Sequence, residues 1–484
     1  TDGYVLTADG SGNSAWEEVA GGPTHKTFGT SSIMIGDNAT GTIDAANNNT
    51  GVGVDIFAAL TSGDDNTVLG KGAGAALTTG QRNVFVGIES GATMTTGSEN
   101  CYVGRLAGKL ATSGYSTGVG TEALYNNTGN HNTAVGIQAL MANTSGTRNV
   151  AVGSNALDAM TTGYNSTAVG HAALTANTTA NSNTAIGAFS MENNTTGAAN
   201  TAVGEGALLN NTTGSSNVAI GYTALFDYTG SNTVAVGYAS LANATGGNNT
   251  GLGHQTGENI TSGTYNTCVG SNAGNTMTSP TYNTLVGYNA GQGSYPLTTG
   301  SSCTMVGALA RPSGTLGNAN GENVFGFNMS ASGTNTTTLG SGGSGLYASH
   351  GSNSWTSISD ERYKKDIVDS EVGLSFINDL RPRNFKWKTC GEVPSDTPRY
   401  EENSDELINP NLTGVMHGFI AQEVKAVIDN HSEVPNNQLI WKQDPDGIQG
   451  LAEGELVPVL VKAVQELSAK NDALEARIET LEGE

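Results

Sequence analysis

The sequence is poor in several residue types. Only 6% of its 484 residues are aromatic, 11 are proline and 4 are cysteine, whereas 68 are glycine. So few large side chains exclude the broad hydrophobic core of a multi-helix enzyme. Cys101, Cys268, Cys303 and Cys390 have neither the spacing of a zinc site nor that of a disulfide framework. No metal site and no cofactor are therefore predicted.

Positive charge is scarce as well. The chain has 20 Lys and Arg against 43 Asp and Glu, a formal net charge of -23 at pH 7. Nucleic acids and anionic membranes require a basic surface, so both are excluded as partners. No apolar run reaches the about 18 residues of a membrane span, so no membrane insertion is predicted. The chain begins at Thr1 without Met or a signal peptide, which indicates a processed product or a piece of a longer protein.

The composition changes along the chain. Residues 1–340 contain 7 of the 20 basic, 18 of the 43 acidic and 56 of the 68 glycine residues. A Ser/Gly-rich stretch then begins at Ser341 and extends to Gly351, which is typical of a linker. We therefore predict two different structural units joined by a linker over residues 341–358.

Residues 31–306 contain a tandem repeat with a period of 16 or 17 residues. A glycine marks each unit, Val, Ile or Leu always precedes it, and Asn stands four residues before it in 12 of 16 units. These glycines are Gly36, Gly53, Gly70, Gly87, Gly104, Gly120, Gly136, Gly153, Gly170, Gly187, Gly204, Gly221, Gly237, Gly253, Gly270 and Gly287. A fixed period of this kind is typical of a solenoid with one coil per repeat.

Each unit has the pattern of one short strand and two turns. The Thr-x-Val alternation predicts a strand with one buried face, and we place the column of Thr184 and Ile186 inside the coil and Asn183 and Ala185 on the other face. The glycine suits a corner with positive φ, and the Asn-Thr-Thr-Gly cluster suits a turn. Fifteen steps at the strand spacing of about 4.8 Å predict a rod of roughly 70 Å.

A coil this thin buries little apolar surface, so self-association is predicted to supply more. Units such as Asn200–Gly204 (Asn-Thr-Ala-Val-Gly) resemble the head repeats of trimeric autotransporter adhesins and of phage tail fibres. The resemblance implies a trimeric parallel β-roll. The predicted fold class is therefore mainly β, with an N-terminal connector over residues 1–30 and a β-roll or β-solenoid shaft over residues 31–306.

The shaft has three possible roles. It is purely structural, or it binds sugars by stacking on aromatic residues, or its Thr column binds ice. The candidate stacking residues lie in the turns and in one aromatic repeat: Tyr164, Tyr265, Tyr282, Tyr222, Phe226 and Tyr228. After Gly287 the glycine spacing loosens, so residues 307–340 are predicted to form an irregular distal cap. The candidate receptor contacts lie in this cap and in the linker after it, and they could equally seal the end of the solenoid: Phe325, Phe327, Tyr347 and Trp355.

Residues 359–484 carry a series of motifs in order. They are Ser359–Ile367, Gly373–Ile377, Leu380–Pro382, Phe385–Trp387, His417–Val424, and Glu455–Leu456 leading to Val464–Leu467. They resemble the endosialidase-type intramolecular chaperones, which are self-cleaving C-terminal domains of phage tail spikes and fibres. The resemblance implies a small α+β domain that trimerises, templates folding of the upstream fibre and then cuts itself off.

The resemblance also implies a Ser-Lys dyad, with Ser359 as nucleophile and Lys364 as general base. Asp360, Arg362 and His417 are candidate supporting residues. The positive charges of Arg362 and Lys365 favour the neutral, proton-accepting form of Lys364. Because residues five apart differ by about 140° on an α-helix, Ser359 must precede the helix or Lys364 must serve a neighbouring protomer. A helix N-cap for Ser359 and a purely structural role for His417 are the alternatives.

The bond that is cut lies beside Ser359. The resemblance implies cleavage between Ser359 and Asp360. Attack by the Ser359 hydroxyl on the preceding carbonyl would instead pass through a five-membered ring and cut after Ile358. Cleavage after Ser359 requires water or a group of another protomer as nucleophile, activated by Lys364. Both bonds remain candidates, as do cleavage within one chain and cleavage between protomers.

The chain ends in a heptad pattern, which predicts a coiled coil over residues 456–482. The a positions are Val457, Val464, Asn471 and Ile478, and the d positions are Leu460, Leu467, Leu474 and Leu481. β-Branched residues at a with Leu at d favour two strands in the simplest rules, whereas the fibre resemblance implies three. We predict three, because these rules are weak in short coils with a polar residue at a.

These observations together predict a homotrimeric phage tail-fibre protein on the virion. Its predicted partners are a glycan or protein receptor on the host cell and other tail proteins at its N-terminus. The C-terminal domain would be a single-turnover Ser-Lys endopeptidase acting on its own chain. No glycan hydrolase activity is predicted, because the acidic residues of the shaft form no recurring pair. The alternative is an adhesive or ice-binding fibre at a cell surface.

Overall fold

The computed structural model describes residues 4–8, 14–18, 24–28, 31–36, 45–293, 296–313, 318–342, 344–352, 354–357, 359–410, 412–435, 440–444 and 447–483. The chain divides into two units, Thr1–Ile358 and Ser359–Glu484. The second unit begins at the residue where the sequence motifs begin.

The first unit consists of short β-strands. At its N-terminal end, β1 (Tyr4–Ala8) pairs antiparallel with β2 (Ser14–Glu18), and β3 (Thr24–Phe28) pairs antiparallel with β4 (Ser32–Gly36). A parallel sheet then continues from β4 through β5 (Thr50–Gly53), β6 (Thr67–Leu69), β7 (Val84–Val86), β8 (Cys101–Val103), β9 (Thr117–Val119), β10 (Thr133–Val135), β11 (Val150–Val152), β12 (Thr167–Val169), β13 (Thr184–Ile186), β14 (Thr201–Val203), β15 (Val218–Ile220), β16 (Val234–Val236), β17 (Thr250–Leu252), β18 (Thr267–Val269), β19 (Thr284–Val286), β20 (Thr304–Val306), β21 (Asn323–Phe325) and β22 (Thr336–Ser341). Two antiparallel strands, β23 (Ser344–Ser349) and β24 (Thr356–Ser357), end the sheet.

Each strand pairs with the next in unshifted register, so that like residues form columns along the sheet. Thr184 pairs with Thr201, and Ile186 pairs with Val203. Each coil returns the chain beside its previous strand after one repeat. The predicted mainly β fold with a parallel β-solenoid is therefore confirmed.

The assignment of the two strand faces was wrong. Ala185 and Asn183 are fully buried, whereas Ile186 is 41% exposed. The same pattern recurs along the sheet, where the middle residue of each three-residue strand is buried and its neighbours face outward. The middle strand residue, often Ala, and the other interior columns fill the coil, and the Val/Ile/Leu column that precedes the glycine lies outside. The Thr column and the Val/Ile/Leu column therefore share the outer face.

Two interior columns compensate for each other in size. The middle strand residue and the residue six positions later lie together inside each coil. Phe85 and Gly91 show this proximity, because a Cβ atom built on Gly91 would lie 2.8 Å from ring carbons of Phe85. Large residues are paired with glycine in Val68/Gly74, Phe85/Gly91, Tyr102/Gly108 and Leu285/Gly291, and small residues are paired with long ones in Ala134/Leu140, Ala151/Leu157, Ala168/Leu174 and Ala185/Met191. This pairing keeps the cross-section filled without voids.

The buried Asn column forms a hydrogen-bonded ladder. The backbone N–H of Asn200 donates to Asn183 Oδ1, and Asn217 donates in the same way to Asn200. The Asn200 side-chain amide also donates to the carbonyl of Gly214. These residues were predicted to face away from the coil interior. They lie inside, because an amide side chain satisfies backbone groups that would otherwise be buried without partners.

Residues 307–340 are more regular than the predicted cap. Val286, Val306, Phe325 and Leu339 pair in sequence along β19 to β22. The intervals between the corresponding glycines, Gly287, Gly307, Gly326 and Gly340, are irregular, yet the strand register is unchanged. The connections absorb the added and lost residues, so the sheet continues through this segment.

The second unit is a small α+β domain. Its elements are a 3₁₀ helix (Glu361–Tyr363), α1 (Leu374–Asp379), β25 (Arg383–Phe385), β26 (Met416–Gly418), α2 (Ala421–Asn430), β27 (Trp441–Gln443), β28 (Gln449–Leu451), a second 3₁₀ helix (Glu453–Glu455) and α3 (Leu456–Glu482). β25 pairs with β26 and β27 with β28, both antiparallel. The core includes Phe376 of α1, Val424 and Ile428 of α2, and Leu456 and Val459 of α3.

Helix α3 has two apolar faces. One face packs on the domain through Leu456, Val459 and Ala463, which are buried. The other carries the predicted a and d positions and is exposed; Leu474, for example, is 58% exposed. The predicted helix is thus present, and its heptad stripe faces away from the core of its own domain.

Candidate functional site

Ser359 and Lys364 are hydrogen-bonded to each other. The Nζ of Lys364 donates to the Oγ of Ser359 at 2.8 Å, and the pair is exposed. Ser359 lies before the one-turn 3₁₀ helix Glu361–Tyr363, and Lys364 is the residue that ends it. This turn returns the chain far enough for the lysine to reach the serine of the same chain. The geometry corresponds to the predicted alternative in which Ser359 precedes a helix.

Asp360 orders the turn between the two residues. Its carboxylate accepts from the backbone N–H of Arg362 at 2.9 Å, which makes Asp360 the N-cap. The alternative prediction that Ser359 is the N-cap was wrong, and its hydroxyl is therefore not used to cap the helix. The Arg362 guanidinium also binds the Asp360 carboxylate and holds the pKa of that carboxyl below its usual range. Because Arg362 is paired with this carboxylate, much of its positive charge is balanced locally.

The arrangement can activate an oxygen nucleophile. A lysine amine that loses its proton can accept one from a hydroxyl at hydrogen-bonding distance. The Ser359 hydroxyl meets this distance requirement and is accessible from outside the domain. Ile358, whose carbonyl belongs to one of the two candidate bonds, lies outside the described residues.

His417 lies on β26, and its described hydrogen bond is to another strand. Its Nδ1 is 2.9 Å from Asn384 Oδ1, opposite it on β25. The same sheet is joined to α2 by an ion pair between Arg383 and Glu423. Among the described residues, the hydrogen bonds of His417 do not include Ser359 or Lys364. The structure thus gives His417 a partner that the sequence analysis did not identify.

The four aromatic candidate receptor contacts do not form one cluster on one face. Phe325 lies in the outward Val/Ile/Leu column, whereas Tyr347 pairs with the buried Thr338 on the inward side. Phe327 and Trp355 are both more than half exposed. Phe327 directly follows a corner glycine, a position discussed below.

The candidate sugar-stacking residues also do not form one common surface. Tyr228 is fully buried, and its hydroxyl bonds to the Ser231 carbonyl and the Thr233 hydroxyl. Tyr265 and Tyr282 stack on each other with centroids 5.1 Å apart, so each ring already covers one face of the other. The sequence motifs did not indicate Tyr238, His254 and Tyr288, which a column-by-column alignment of the repeats places together.

The described part of the structure contains neither a metal-binding cluster nor a membrane-spanning helix. No group of three or more His, Cys, Asp or Glu residues there could hold a metal ion. Over the same residues, no helix is both long and apolar enough to cross a membrane.

Comparison with known families gives a match within the C-terminal unit. Residues 359–433 match the model of a family described as chaperone of endosialidase. This family is known for autoproteolytic chaperone domains. The match begins at Ser359 and confirms the resemblance predicted from the motifs, and a β-solenoid followed by such a domain fits a tail-spike-like protein. No curated protein and no solved structure matches the chain.

Proposed function

We propose that this protein is a homotrimeric tail-fibre protein whose C-terminal domain drives assembly and then cleaves its own chain beside Ser359. The observation that carries the proposal is the 2.8 Å contact between Lys364 Nζ and Ser359 Oγ. It lies at the start of the segment that matches the chaperone family, directly after the β-solenoid unit.

The proposed cleavage follows one of two balanced routes. In the first, Lys364 takes the Ser359 hydroxyl proton, Oγ attacks the preceding carbonyl, and the resulting ester is hydrolysed by one water. In the second, water attacks the Ser359 carbonyl directly, or the Ser359 hydroxyl of a neighbouring protomer attacks it and the resulting ester between the two protomers is hydrolysed by one water. In both routes the leaving amine receives its proton from Lys364. Each route ends with one new carboxyl terminus and one new amino terminus.

Two exposed apolar surfaces support trimer formation. One is the outer sheet face, where the Val/Ile/Leu column is at least partly exposed in each strand and Ile186 is 41% exposed. The other is the heptad stripe of α3, which includes Leu467 and Leu474. Continuous exposed stripes of this kind are typical of association surfaces. Second and third copies of the chain, in parallel, would cover both.

The location and the external partners follow from the same proposal. The fibre would be carried on a virion, attached through its N-terminal end to other tail proteins. Exposed aromatic residues of the first unit would contact a glycan or protein receptor on the host cell. This assignment is supported by the pairing of a repetitive rod with a chaperone domain of the endosialidase type.

An ice-binding or adhesive fibre on a cell surface is the second candidate. It is favoured by one observation: Thr184, Thr201 and their equivalents face outward in register. Against it, Val218 and Val234 occupy the same column. Thermal hysteresis of the purified protein above that of an equal concentration of albumin would support ice binding.

The cleavage proposal is tested on a denaturing gel. Wild-type protein should separate into fragments of about 359 and 125 residues, and intact mass should identify the bond. Ser359→Ala and Lys364→Ala should each leave the chain uncut, whereas Lys365→Ala, which removes the neighbouring lysine, should still be cleaved. Cleavage that persists in both Ser359→Ala and Lys364→Ala would refute the dyad.

The assembly proposal is tested by light scattering on the uncut Ser359→Ala protein. The expected mass is about 148 kDa, three times the chain mass of 49.2 kDa. Leu474→Asp should reduce it, because the new charge would lie in the seam between helices. Ala476→Asp introduces the same charge on the opposite side of the helix and should leave the trimer intact. A stable wild-type monomer would refute the assembly proposal.

A further inference from the structure

The residues that directly follow the corner glycines form a column on the outside of the first unit. Toward the C-terminal end this post-glycine column contains Tyr222, Tyr238, His254, Ser271, Tyr288, Ala308 and Phe327. Backbone hydrogen bonds hold its members one coil apart: the carbonyls of His254, Ser271 and Tyr288 accept from the N–H groups of Asn272, Asn289 and Leu309. The column is therefore a regular row.

The first three rings of the column stack on each other. Tyr222 and Tyr238 have centroids 5.6 Å apart, and Tyr238 and His254 have centroids 5.0 Å apart, with nearly parallel planes. Their inner faces are thus covered by neighbouring rings. After His254 the column changes character, because small residues separate the rings.

Ser271 and Ala308 create two gaps in this row. The first gap lies between His254 and Tyr288 over Ser271, and the second lies between Tyr288 and Phe327 over Ala308; we name them slot 1 and slot 2. Tyr288 and Phe327 are 54% and 58% exposed. Among the described residues, neither stacks on another aromatic ring. No described aromatic ring therefore covers either face of Tyr288.

The width of the slots matches one inserted ring. Two coil steps separate the flanking side chains, a spacing of about 9.6 Å at about 4.8 Å per strand. A ring in van der Waals contact with both walls requires roughly 7–8 Å, at about 3.5–4.0 Å per contact. The remaining space accommodates the puckered, hydrogen-bearing ring of a sugar better than a flat aromatic ring.

We propose that slots 1 and 2 bind pyranose rings of a neutral glycan. The C–H faces of a pyranose would pack against the electron-rich faces of Tyr288 and its neighbours. The hydroxyls at the sugar's edge would reach water, the Tyr288 hydroxyl and, in slot 1, the Ser271 hydroxyl. The net charge of -23 disfavours an anionic glycan. This inference rests on the proposed receptor-binding function and specifies the chemistry of the receptor.

The test is saturation-transfer NMR on the full chain. The probes are the methyl glycosides of glucose, galactose, mannose and N-acetylglucosamine, together with cellotetraose and maltotetraose. At least one should receive saturation, strongest on the C–H protons of its ring. The double variant Ser271→Tyr and Ala308→Tyr fills both slots with rings, as in the stack of Tyr222 and Tyr238, and should reduce the transfer at least tenfold.

Tyr115→Ala is the matched control, because it removes an exposed tyrosine from a different column. It should retain the transfer of the wild type. Absence of transfer to every sugar, or equal transfer in the filled double variant, would overturn the inference. Stronger transfer to p-cresol, a mimic of a tyrosine side chain, than to any sugar would also overturn it and assign the slots to a protein partner.

The sugar-binding test and the tests of the proposed function can succeed or fail independently of each other. Each slot is formed by one chain, so sugar binding can be measured whether or not the protein is a trimer. A trimeric, self-cleaving protein without sugar binding would refute this inference alone. A monomer that binds the sugar through the slots would refute the assembly proposal and leave this inference standing.

Discussion

The Oδ1 of Asn183 accepts a hydrogen bond from the backbone N–H of Asn200, one coil later, at 2.9 Å. Asn200 in turn accepts from the N–H of Asn217 and donates to the Gly214 carbonyl. Asn200→Ala would leave the Asn217 N–H buried without its acceptor, whereas the Gly214 carbonyl would keep the hydrogen bond from the Asn211 side-chain amide. We expect a loss of about 1–3 kcal/mol, the cost of one unsatisfied buried backbone group.

Amide hydrogen exchange can measure this effect locally. In Asn200→Ala, the N–H of Asn217 should exchange much faster than in wild type. Asn193→Ala, which removes an exposed amide, should change the exchange little. Equal effects of the two substitutions would contradict a structural ladder.

The size pairing inside the coil predicts a compensating double substitution. Ala185→Phe should overpack the interior, and Met191→Gly should leave a cavity, each costing about 1–5 kcal/mol. Combined, they reproduce the arrangement of Phe85 and Gly91 and should recover at least half of the melting temperature lost by the worse single variant. Losses that simply add would show that the two positions do not share space.

The corrected strand faces make Ala185 and Ile186 respond differently to a charge. Ala185→Asp places a carboxylate in the closed interior and should abolish the folded rod around it. Ile186→Asp should leave the β-solenoid signal in circular dichroism but reduce the trimer mass in light scattering, because its column lies on the outer face. Loss of β-structure in Ile186→Asp to the same degree as in Ala185→Asp would contradict the observed face assignment.

Gly187 shows why the repeat needs a glycine at its corner. Its φ is 133°, and an added Cβ would lie 2.5 Å from the backbone carbonyl of Gly204. Gly187→Ala should therefore cost more than the about 1–3 kcal/mol of backbone strain alone. Gly333 has a similar φ of 139° but no atom within 4 Å of such a Cβ. Gly333→Ala should show the strain without the clash, and a comparison of the two melting temperatures would separate them.

His431 predicts a pH dependence for the second unit. Its side chain is largely buried and contacts the carboxylates of Glu433 and Asp379, which raise the pKa of the imidazole. The imidazole also packs against the Phe376 ring in an edge-to-face arrangement. A raised folded-state pKa means that the stabilisation is complete below about pH 6.5 and is lost as the pH rises through the folded-state pKa.

The melting temperature of the second unit should accordingly fall between pH 6 and pH 8. His431→Gln should remove most of that slope. NMR of labelled histidine should show a midpoint for His431 above 6.5, and a midpoint at or below that value would contradict the assignment.

The period of the repeat was sufficient to predict the solenoid, and the glycine predicted the positive-φ corner. The period was not sufficient to orient the strand. Thr-x-Val alternation fits either face, and the expectation that this Val/Ile column is buried fails because other columns, such as those of Ala185 and Met191, already fill the interior. The burial of Asn183 depends on the backbone groups of the neighbouring coils, which the local sequence does not reveal. A comparison of residues six positions apart, such as Phe85 and Gly91, would have indicated that the middle strand residue faces the interior.

For the candidate site, the motif located Ser359 and Lys364. Helical geometry then allowed two arrangements: Ser359 precedes the helix, or Lys364 serves a neighbouring protomer. The 3₁₀ turn capped by Asp360 selects one of them in this structure. The partner of His417 could not be predicted, because Asn384 lies on another strand across the long connection between β25 and β26. Such pairings depend on strand register between distant segments.

The irregular intervals near the end of the sheet indicate where this fibre can vary. Gly287, Gly307, Gly326 and Gly340 are unevenly spaced, yet their strands remain in register. The chain gains or loses residues only in the connections away from the strand. That edge of the coil can therefore accept inserted loops of different length and sequence, while the sheet and the post-glycine column keep their spacing. Diversification would be confined to one side of the rod.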